Sequence, residues 1–408
     1  MRSLSIYILL ALISISVNVK AQSNLDSLWN VWDDETQEDT NRLKAIYNFA
    51  MYGYLDEFPD SAFYFGQDQY NFAKSINNQK WMAKALYLQA ISFDNRNDIE
   101  NTLLYLNKLL LIYEKLENYN EIGPIYNKIG VVYRGLGNYE KAIDYFHKNL
   151  EIVQNLNDEI GVANAFFNIS IIYIDQLNLE NALEYSQKAL YIYEKIGDMS
   201  SMASSYNCIG IIYSELGQTE KTLINYRKSL RIMSEMSNKD GMAMLYNNIG
   251  ELYKDQGSFE IALDFYVKAL NIARDMNDVS SVAMYNSNIG MTYNNMGQLN
   301  NAINYLTESI KIKKSQNSIV HLDETTYELY NVYKKLGQKP EALDMYEYYI
   351  SVKDSLSKMD GIEKTRQRDF QEKFLLEKQA DSIRFSNEIL LNNAKSDAKA
   401  KTDKVIRF

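Results

Sequence analysis

Ile129-Gly130-Val131-Val132-Tyr133 returns as Ile209-Gly210-Ile211-Ile212-Tyr213, Ile249-Gly250-Glu251-Leu252-Tyr253 and Ile289-Gly290-Met291-Thr292-Tyr293, with Ile169-Ser170-Ile171-Ile172-Tyr173 filling the gap. The spacing is 40 residues each time, without an insertion. Twelve residues after each central small residue comes another small one, at Ala142, Ala182, Thr222, Ala262 and Ala302, and the column continues 40 residues on at Ala342. A leucine or isoleucine follows eight later, at Leu150, Leu190, Leu230, Leu270, Ile310 and Ile350. The same register continues upstream through Ala90 with Phe93 and Thr102, then Ala50 with Ala62, so eight repeats are expected. A fixed period of this length marks an array of supersecondary units that bury their apolar faces only against neighbours.

The residue types state what each unit is. The whole chain holds 3 Pro and 17 Gly among 408 residues, too few breakers for the turns of an all-β protein. Each unit is therefore read as two helices, A and B, that cross where both carry a small side chain, since anything larger than Ala would part the backbones. Gly137, Gly217, Gly257, Gly297 and Gly337 fall between A and B, where a residue just past a helix end takes a left-handed conformation. Asn157-Asp158, Gly197-Asp198, Asn238-Lys239-Asp240 and Asn277-Asp278 separate one unit from the next and suit turns and helix caps.

This pattern resembles the tetratricopeptide repeat over roughly residues 30–360, most clearly over 122–355. Gly130, Tyr133, Gly137, Tyr139, Ala142 and Phe146 match the family's positions, while Ser170, Leu177 and Thr222 depart from them. The 40-residue period is similar to the long-helix form seen in kinesin light chain and in bacterial peptide-responsive regulators. The resemblance implies an all-α fold, a right-handed α-solenoid of about eight helical hairpins that binds a protein or an extended peptide in its concave groove. It also implies a site. Two residues before the small helix A position stand Asn48, Leu88, Lys128, Asn168, Cys208, Asn248, Asn288 and Glu328, a column similar to the asparagine ladder of some tetratricopeptide proteins. Asn127, Asn207 and Asn247 add carboxamides one position earlier. A carboxamide offers donors and an acceptor at once, so it can pair with a ligand's peptide group whatever the ligand's side chains. Asn48, Lys128, Asn168, Asn248, Asn288, Asn127, Asn207 and Asn247 are the expected peptide-binding residues; the bland alternative is that Asn is common here and fills exposed positions.

Other functions find little support. A net charge of −10 argues against binding to nucleic acid, which needs clustered Lys and Arg. There is no phosphate-binding glycine loop, dinucleotide fingerprint or zinc-protease motif. The two histidines, His147 and His321, lie in different repeats, and the single Cys208 precludes an intrachain disulfide. A nucleophilic role for Cys208 would need a base beside it, and none can be placed. No enzyme activity, cofactor, metal or small-molecule substrate is expected.

The two ends carry separate signals. Met1-Arg2-Ser3, an apolar stretch from Leu4 to Val17 and Val19-Lys20-Ala21 read as an export signal, residues 1–21, cleaved after Ala21. The apolar stretch of 14 residues spans roughly 21 Å as a helix, short of the ~30 Å of a bilayer core. The mature chain would be periplasmic or envelope-associated. Residues 362–408 form a charged segment without Gly or Pro, in which Leu376, Ala380, Ile383, Asn387, Leu390 and Ala394 alternate by four and three. A parallel coiled-coil homodimer is one reading of that seam, and a single amphipathic helix the other. The order of signal, repeats and charged helix also resembles the sensory half of bacterial histidine kinases, nucleotide cyclases and regulators.

Overall fold

The computed structural model describes residues 24–358, all of whose regular structure is helical. The signal segment 1–21 and the charged tail 362–408, with its coiled-coil seam, lie outside the described residues. The described residues divide into two compact units, 24–118 and 119–358. In the first, a short helix α1 (24–33) precedes two hairpins, α2 (Asp39–Gly53) with α3 (Pro59–Ser75) and α4 (Gln79–Asn95) with α5 (Ile99–Lys115). In the second, six hairpins follow. They are α6 (Tyr119–Gly135) with α7 (Tyr139–Asn155), α8 (Glu159–Asp175) with α9 (Leu179–Ile196), and α10 (Met199–Glu215) with α11 (Thr219–Glu235). Then come α12 (Lys239–Asp255) with α13 (Phe259–Asp275), α14 (Val279–Asn295) with α15 (Leu299–Ser315), and α16 (Leu322–Leu336) with α17 (339–358). Even-numbered helices are the A helices of the repeat.

Behind the 40-residue sequence period lies a 20-residue backbone period. A left-handed residue ends every helix from α3 to α16, at Asn77, Asn97, Glu117, Gly137, Asn157, Leu177, Gly197, Gly217, Ser237, Gly257, Asn277, Gly297, Asn317 and Gly337. At Gly137 the turn closes with Gly137 N–H donating to Arg134 O at 2.8 Å and Asn138 N–H to Tyr133 O at 2.9 Å, which satisfies carbonyls that the helix end would otherwise strand. The next residue starts the next helix. Asn138 Oδ1 accepts from Lys141 N–H at 3.2 Å and Asp158 Oδ1 from Gly161 N–H at 3.0 Å, each capping an orphan donor. Tight turns of this length keep A and B antiparallel and adjacent.

The helix crossings are as close as the small residues require. A Cβ on Gly130 would lie 2.6 Å from the Phe146 ring, one on Gly250 2.7 Å from Tyr266, and one on Gly290 2.6 Å from Leu306. Ala142, Ala182, Ala262 and Ala302 are fully buried on the B side. Around each crossing, rings from A and B pair: Tyr133 stacks on Tyr145 at 5.6 Å and Tyr253 on Phe265 at 5.8 Å. Such pairs add to simple burial, and they account for much of the chain's tyrosine.

One junction breaks the regular spacing. By the 40-residue register α16 should begin near residue 319, but Ile319-Val320-His321 are not helical and α16 starts at Leu322. His321 takes φ 50 ahead of the helix. The position that holds Val153, Tyr193 and Met233 in earlier hairpins is here Lys313, buried, with Nζ donating to His321 O at 2.9 Å and Thr325 Oγ1 at 3.0 Å. Burial holds the Lys313 ammonium below its ordinary pKa, against the pull of Glu324 and Asp323. The ammonium is held in the interior by these hydrogen bonds, which offset part of the cost of taking it out of water.

Candidate functional site: the A-helix face

Successive A helices touch one another within a unit, as α2 does α4, α6 does α8, α8 does α10, and α10 does α12. Side chains on their exposed stripe therefore form rows from repeat to repeat. The ladder column lies on that stripe: Asn48, Lys128, Asn168, Asn248, Asn288 and Glu328 are half-buried, whereas Leu88 and Cys208 are buried. Asn127, Asn207 and Asn247 are half-buried beside them.

The carboxamides are joined in pairs across neighbouring A helices. Asn168 Nδ2 donates to Asn127 Oδ1 at 2.7 Å, Asn248 Nδ2 to Asn207 Oδ1 at 3.1 Å, and Asn288 Nδ2 to Asn247 Oδ1 at 2.8 Å. Each pair is 41 residues apart, one repeat plus one residue. Seven of the eight expected site residues thus fall together in the second unit, six of them in these pairs and Lys128 next to Asn127; Asn48 holds the equivalent place on α2 in the first unit. Where the column changes, so does its partner: Cys208 follows Phe167, and the amide pair gives way to apolar side chains.

The same offset recurs two turns further along. Arg134 clasps Asp175 through Nε at 2.7 Å and Nη2 at 3.3 Å, and Lys335 Nζ donates to Asn294 Oδ1 at 2.7 Å. Asn294 in turn donates to Glu328. On α12, Lys254 pairs with Glu251, whose Oε1 also accepts from the buried Tyr266 hydroxyl at 2.6 Å. Burial, then the Glu251 charge, drives the Tyr266 pKa far up, so the phenol keeps its proton and serves as a donor. Val131 stands between the two rows on α6, and Met244 and Met284 one turn before the asparagines on α12 and α14, all exposed. The stripe is a mixed surface of fixed amides, tied charges and apolar side chains, built on rigid helices.

Cys208 is a packing residue, whereas His147 and His321 are exposed. Cys208 is buried between Ser170 and Ser186, and burial pushes its thiol pKa up, away from the thiolate that a nucleophile needs. His147 lies within α7 and His321 ahead of α16, and among the described residues no three His, Cys, Asp or Glu side chains are grouped to hold a metal ion. No described helix is long and apolar enough to cross a membrane.

Two elements escaped the sequence reading. The inter-repeat amide pairing depends on how adjacent A helices register, though the shared 41-residue spacing of the asparagines is a signal that could have shown it. Helix α1 carries no repeat signature, yet its Trp29 sets its ring 5.2 Å from Phe49 and covers the outer side of the first hairpin.

Comparison with known proteins agrees with this architecture. Residues 121–195 and 201–275 match one tetratricopeptide repeat model, and residues 285–316 match a second. No curated protein matches the sequence. Among solved structures, the apo form of the quorum sensor NprR from B. thuringiensis is 15% identical with a TM-score of 0.57, over 82% of this chain and 99% of that one. Aspartyl phosphate phosphatase F from Bacillus subtilis is 11% identical with a TM-score of 0.57, over 82% and 94%. A Rap protein complexed with competence and sporulation factor is 14% identical with a TM-score of 0.53, over 83% and 99%. At such identities the likeness is one of fold. The chain thus carries tetratricopeptide repeats, and its helical hairpins are the units those repeats build.

Proposed function

We propose that the A-helix face of residues 119–358 binds an extended polypeptide through its carboxamide pairs, and that the protein is a non-enzymatic scaffold or sensor. The observation that carries this reading is the row of Asn127–Asn168, Asn207–Asn248 and Asn247–Asn288 bonds. Each bond engages one N–H of the donor and one lone pair of the acceptor, so both amides retain donor and acceptor capacity. The bond also fixes their orientation, which lowers the entropy lost on binding. Touching helices lie about 8–10 Å apart, so successive rows would meet an extended ligand, at about 3.3 Å per residue, every third residue or so. The complexed Rap protein and the quorum sensor NprR support a ligand-taking role for this fold.

The test is a peptide ligand selected from a random library on the intact chain, measured against Asn168→Ala, Asn248→Ala and Asn288→Ala combined. A neutral hydrogen bond contributes about 0.5–1.5 kcal/mol, so the triple variant should lose roughly 1.5–4.5 kcal/mol of affinity, to a similar extent for ligands of unrelated sequence. Equal binding by a folded triple variant sinks the ladder.

The export reading rests on Leu4–Val17 and Val19-Lys20-Ala21. It places the working protein in the periplasm or envelope, beginning at Gln22, which the N-terminal sequence of protein from the native cell would establish or refute. The heptad seam through Leu376, Ile383, Asn387 and Leu390 supports a homodimeric form. Sedimentation of the full chain beside one ending at Asp360 decides that point, equal monomeric mass for both refuting it.

A further inference from the structure

On the peptide-binding reading above, on which this one rests, we infer that the ligand of the A-helix face is a polyproline II segment with an apolar side chain at every third position and a Lys or Arg beside it.

Each A helix sets three side chains in one line, spaced by three and then four residues, which keeps them on one face. On α8 they are Asn168, Ile171 and Asp175, and on α10 Cys208, Ile211 and Glu215. The face is therefore crossed by an amide row, an apolar row and an acidic row. Val131 continues the apolar row on α6, and Asp255 continues the acidic row on α12. Ile171 and Ile211 are half-buried and Val131 is exposed, so the middle row offers an apolar floor. Glu251, which interrupts that row on α12, is already held by Lys254 and the Tyr266 hydroxyl.

The acidic row is neutralised at one end only. Asp175 is clasped by Arg134, 41 residues earlier on the preceding A helix. The residue in that place before Glu215 is Ile174, and before Asp255 it is Ser214, so the clasp is not repeated. Glu215 and Asp255 are exposed, and among the described residues neither has an ion-pair or hydrogen-bond partner. Two open carboxylates one repeat apart, flanking an apolar row, are complementary to a ligand that carries positive charge beside its apolar side chains.

The spacing of the rows selects the ligand's backbone. Touching helices lie about 8–10 Å apart, and each row repeats at that interval. A β-strand returns side chains to one face every second residue, about 6.6 Å, and falls out of step. A polyproline II helix has three residues per turn and rises about 3.1 Å per residue, so its same-face side chains recur at about 9.3 Å. It also makes no internal hydrogen bonds, which leaves its peptide groups for the amide row. With one side chain of each triplet on the apolar row, a second is directed to the acids and the third to solvent.

The probe is a fluorescein-labelled peptide of five Pro-Val-Lys triplets, titrated into the full chain and followed by anisotropy. It should bind about fivefold tighter than the same residues ordered without a period of three, and about tenfold tighter than a peptide of Pro-Val-Glu triplets. Glu215→Gln combined with Asp255→Asn, both at exposed positions, should weaken it roughly threefold to tenfold with helix content unchanged, and added salt should erase that difference. Absence of binding at about 1 mM, equal binding of the reordered or the acidic peptide, or indifference to the paired substitution would each overturn the assignment. The ladder is tested apart from it. If the Pro-Val-Lys peptide binds as described but Asn168→Ala, Asn248→Ala and Asn288→Ala combined leave its affinity unchanged, the ligand chemistry stands and the ladder fails. If library ligands need those asparagines yet carry neither the period of three nor a cation, the ladder stands and the ligand chemistry fails.

Discussion

The Ser186 hydroxyl on α9 donates to the Cys208 thiol on α10 across 3.7 Å, and the thiol is 4.0 Å from Ser170 Oγ on α8. In the preceding hairpin the equivalent crossing holds Phe146 against Gly130, and in the following one Tyr226 against Gly210. One repeat thus trades a ring and a glycine for two serines, and a thiol from the next A helix takes up the remaining volume. The departure of Ser170 from the repeat pattern and the isolation of Cys208 in the asparagine column are one packing solution.

Ser186→Phe alone should therefore overpack this crossing and destabilise by roughly 1–3 kcal/mol. Adding Ser170→Gly and Cys208→Ala should recover most of the loss, since the site would then match its neighbours. Urea midpoints followed by circular dichroism give both values, and additive losses in the triple variant would break the link between the three positions.

Two glycines should respond to alanine with opposite signs. Gly250 abuts Tyr266, so Gly250→Ala sets an overpacking cost of roughly 1–3 kcal/mol against about 1 kcal/mol of improved helix propensity, and a net loss is expected. Gly135 has nothing within 4 Å of an added Cβ, so Gly135→Ala should gain up to about 1 kcal/mol. Thermal midpoints that move in the same direction would contradict the close-crossing geometry.

Leu177 occupies a left-handed turn, φ 57, with its side chain exposed. Such a conformation costs a branched L-residue about 1–2 kcal/mol, partly balanced by the extra unfolded-state freedom of glycine, about 0.5–1 kcal/mol. Leu177→Gly should stabilise by roughly 0.5–1 kcal/mol, and Gly217→Leu should cost about the same in reverse. A destabilised Leu177→Gly variant would mean that the leucine makes a contact its exposure does not show.

Stability should fall steeply above pH 10. Burial is the main cause that pushes Tyr133, Tyr193 and Tyr285 up to about 12 from an ordinary 10.0. A raised folded pKa means that the folded state holds the phenolic proton more tightly, so its stabilisation is complete below pH 10 and is lost as pH climbs towards 12. Each such group steepens the fall by up to about 1.4 kcal/mol per pH unit. Lys313 works in the opposite sense: its lowered pKa makes stability rise with pH until its ordinary 10.5. Urea melts between pH 8 and 11 should show a shallower decline for Tyr285→Phe, and an unchanged slope would exclude Tyr285 as a contributor.

By itself, the amino-acid sequence determined the repeating helical hairpin, its boundaries and the close crossings. These are local matters: helix periodicity, a turn residue every so many positions, and small side chains such as Gly250 and Ala262 where two adjacent helices must meet. It also placed the asparagines on one column. What they do there was decided only by tertiary structure, because a bond such as that between Asn288 and Asn247 needs the axial offset of two A helices that are not consecutive in sequence. The same holds for the late start of α16 over buried Lys313, and for α1, whose Trp29 makes sense only against Phe49. Periodicity is written along one chain, whereas pairing across repeats depends on how neighbouring backbones settle around their combined side-chain volumes.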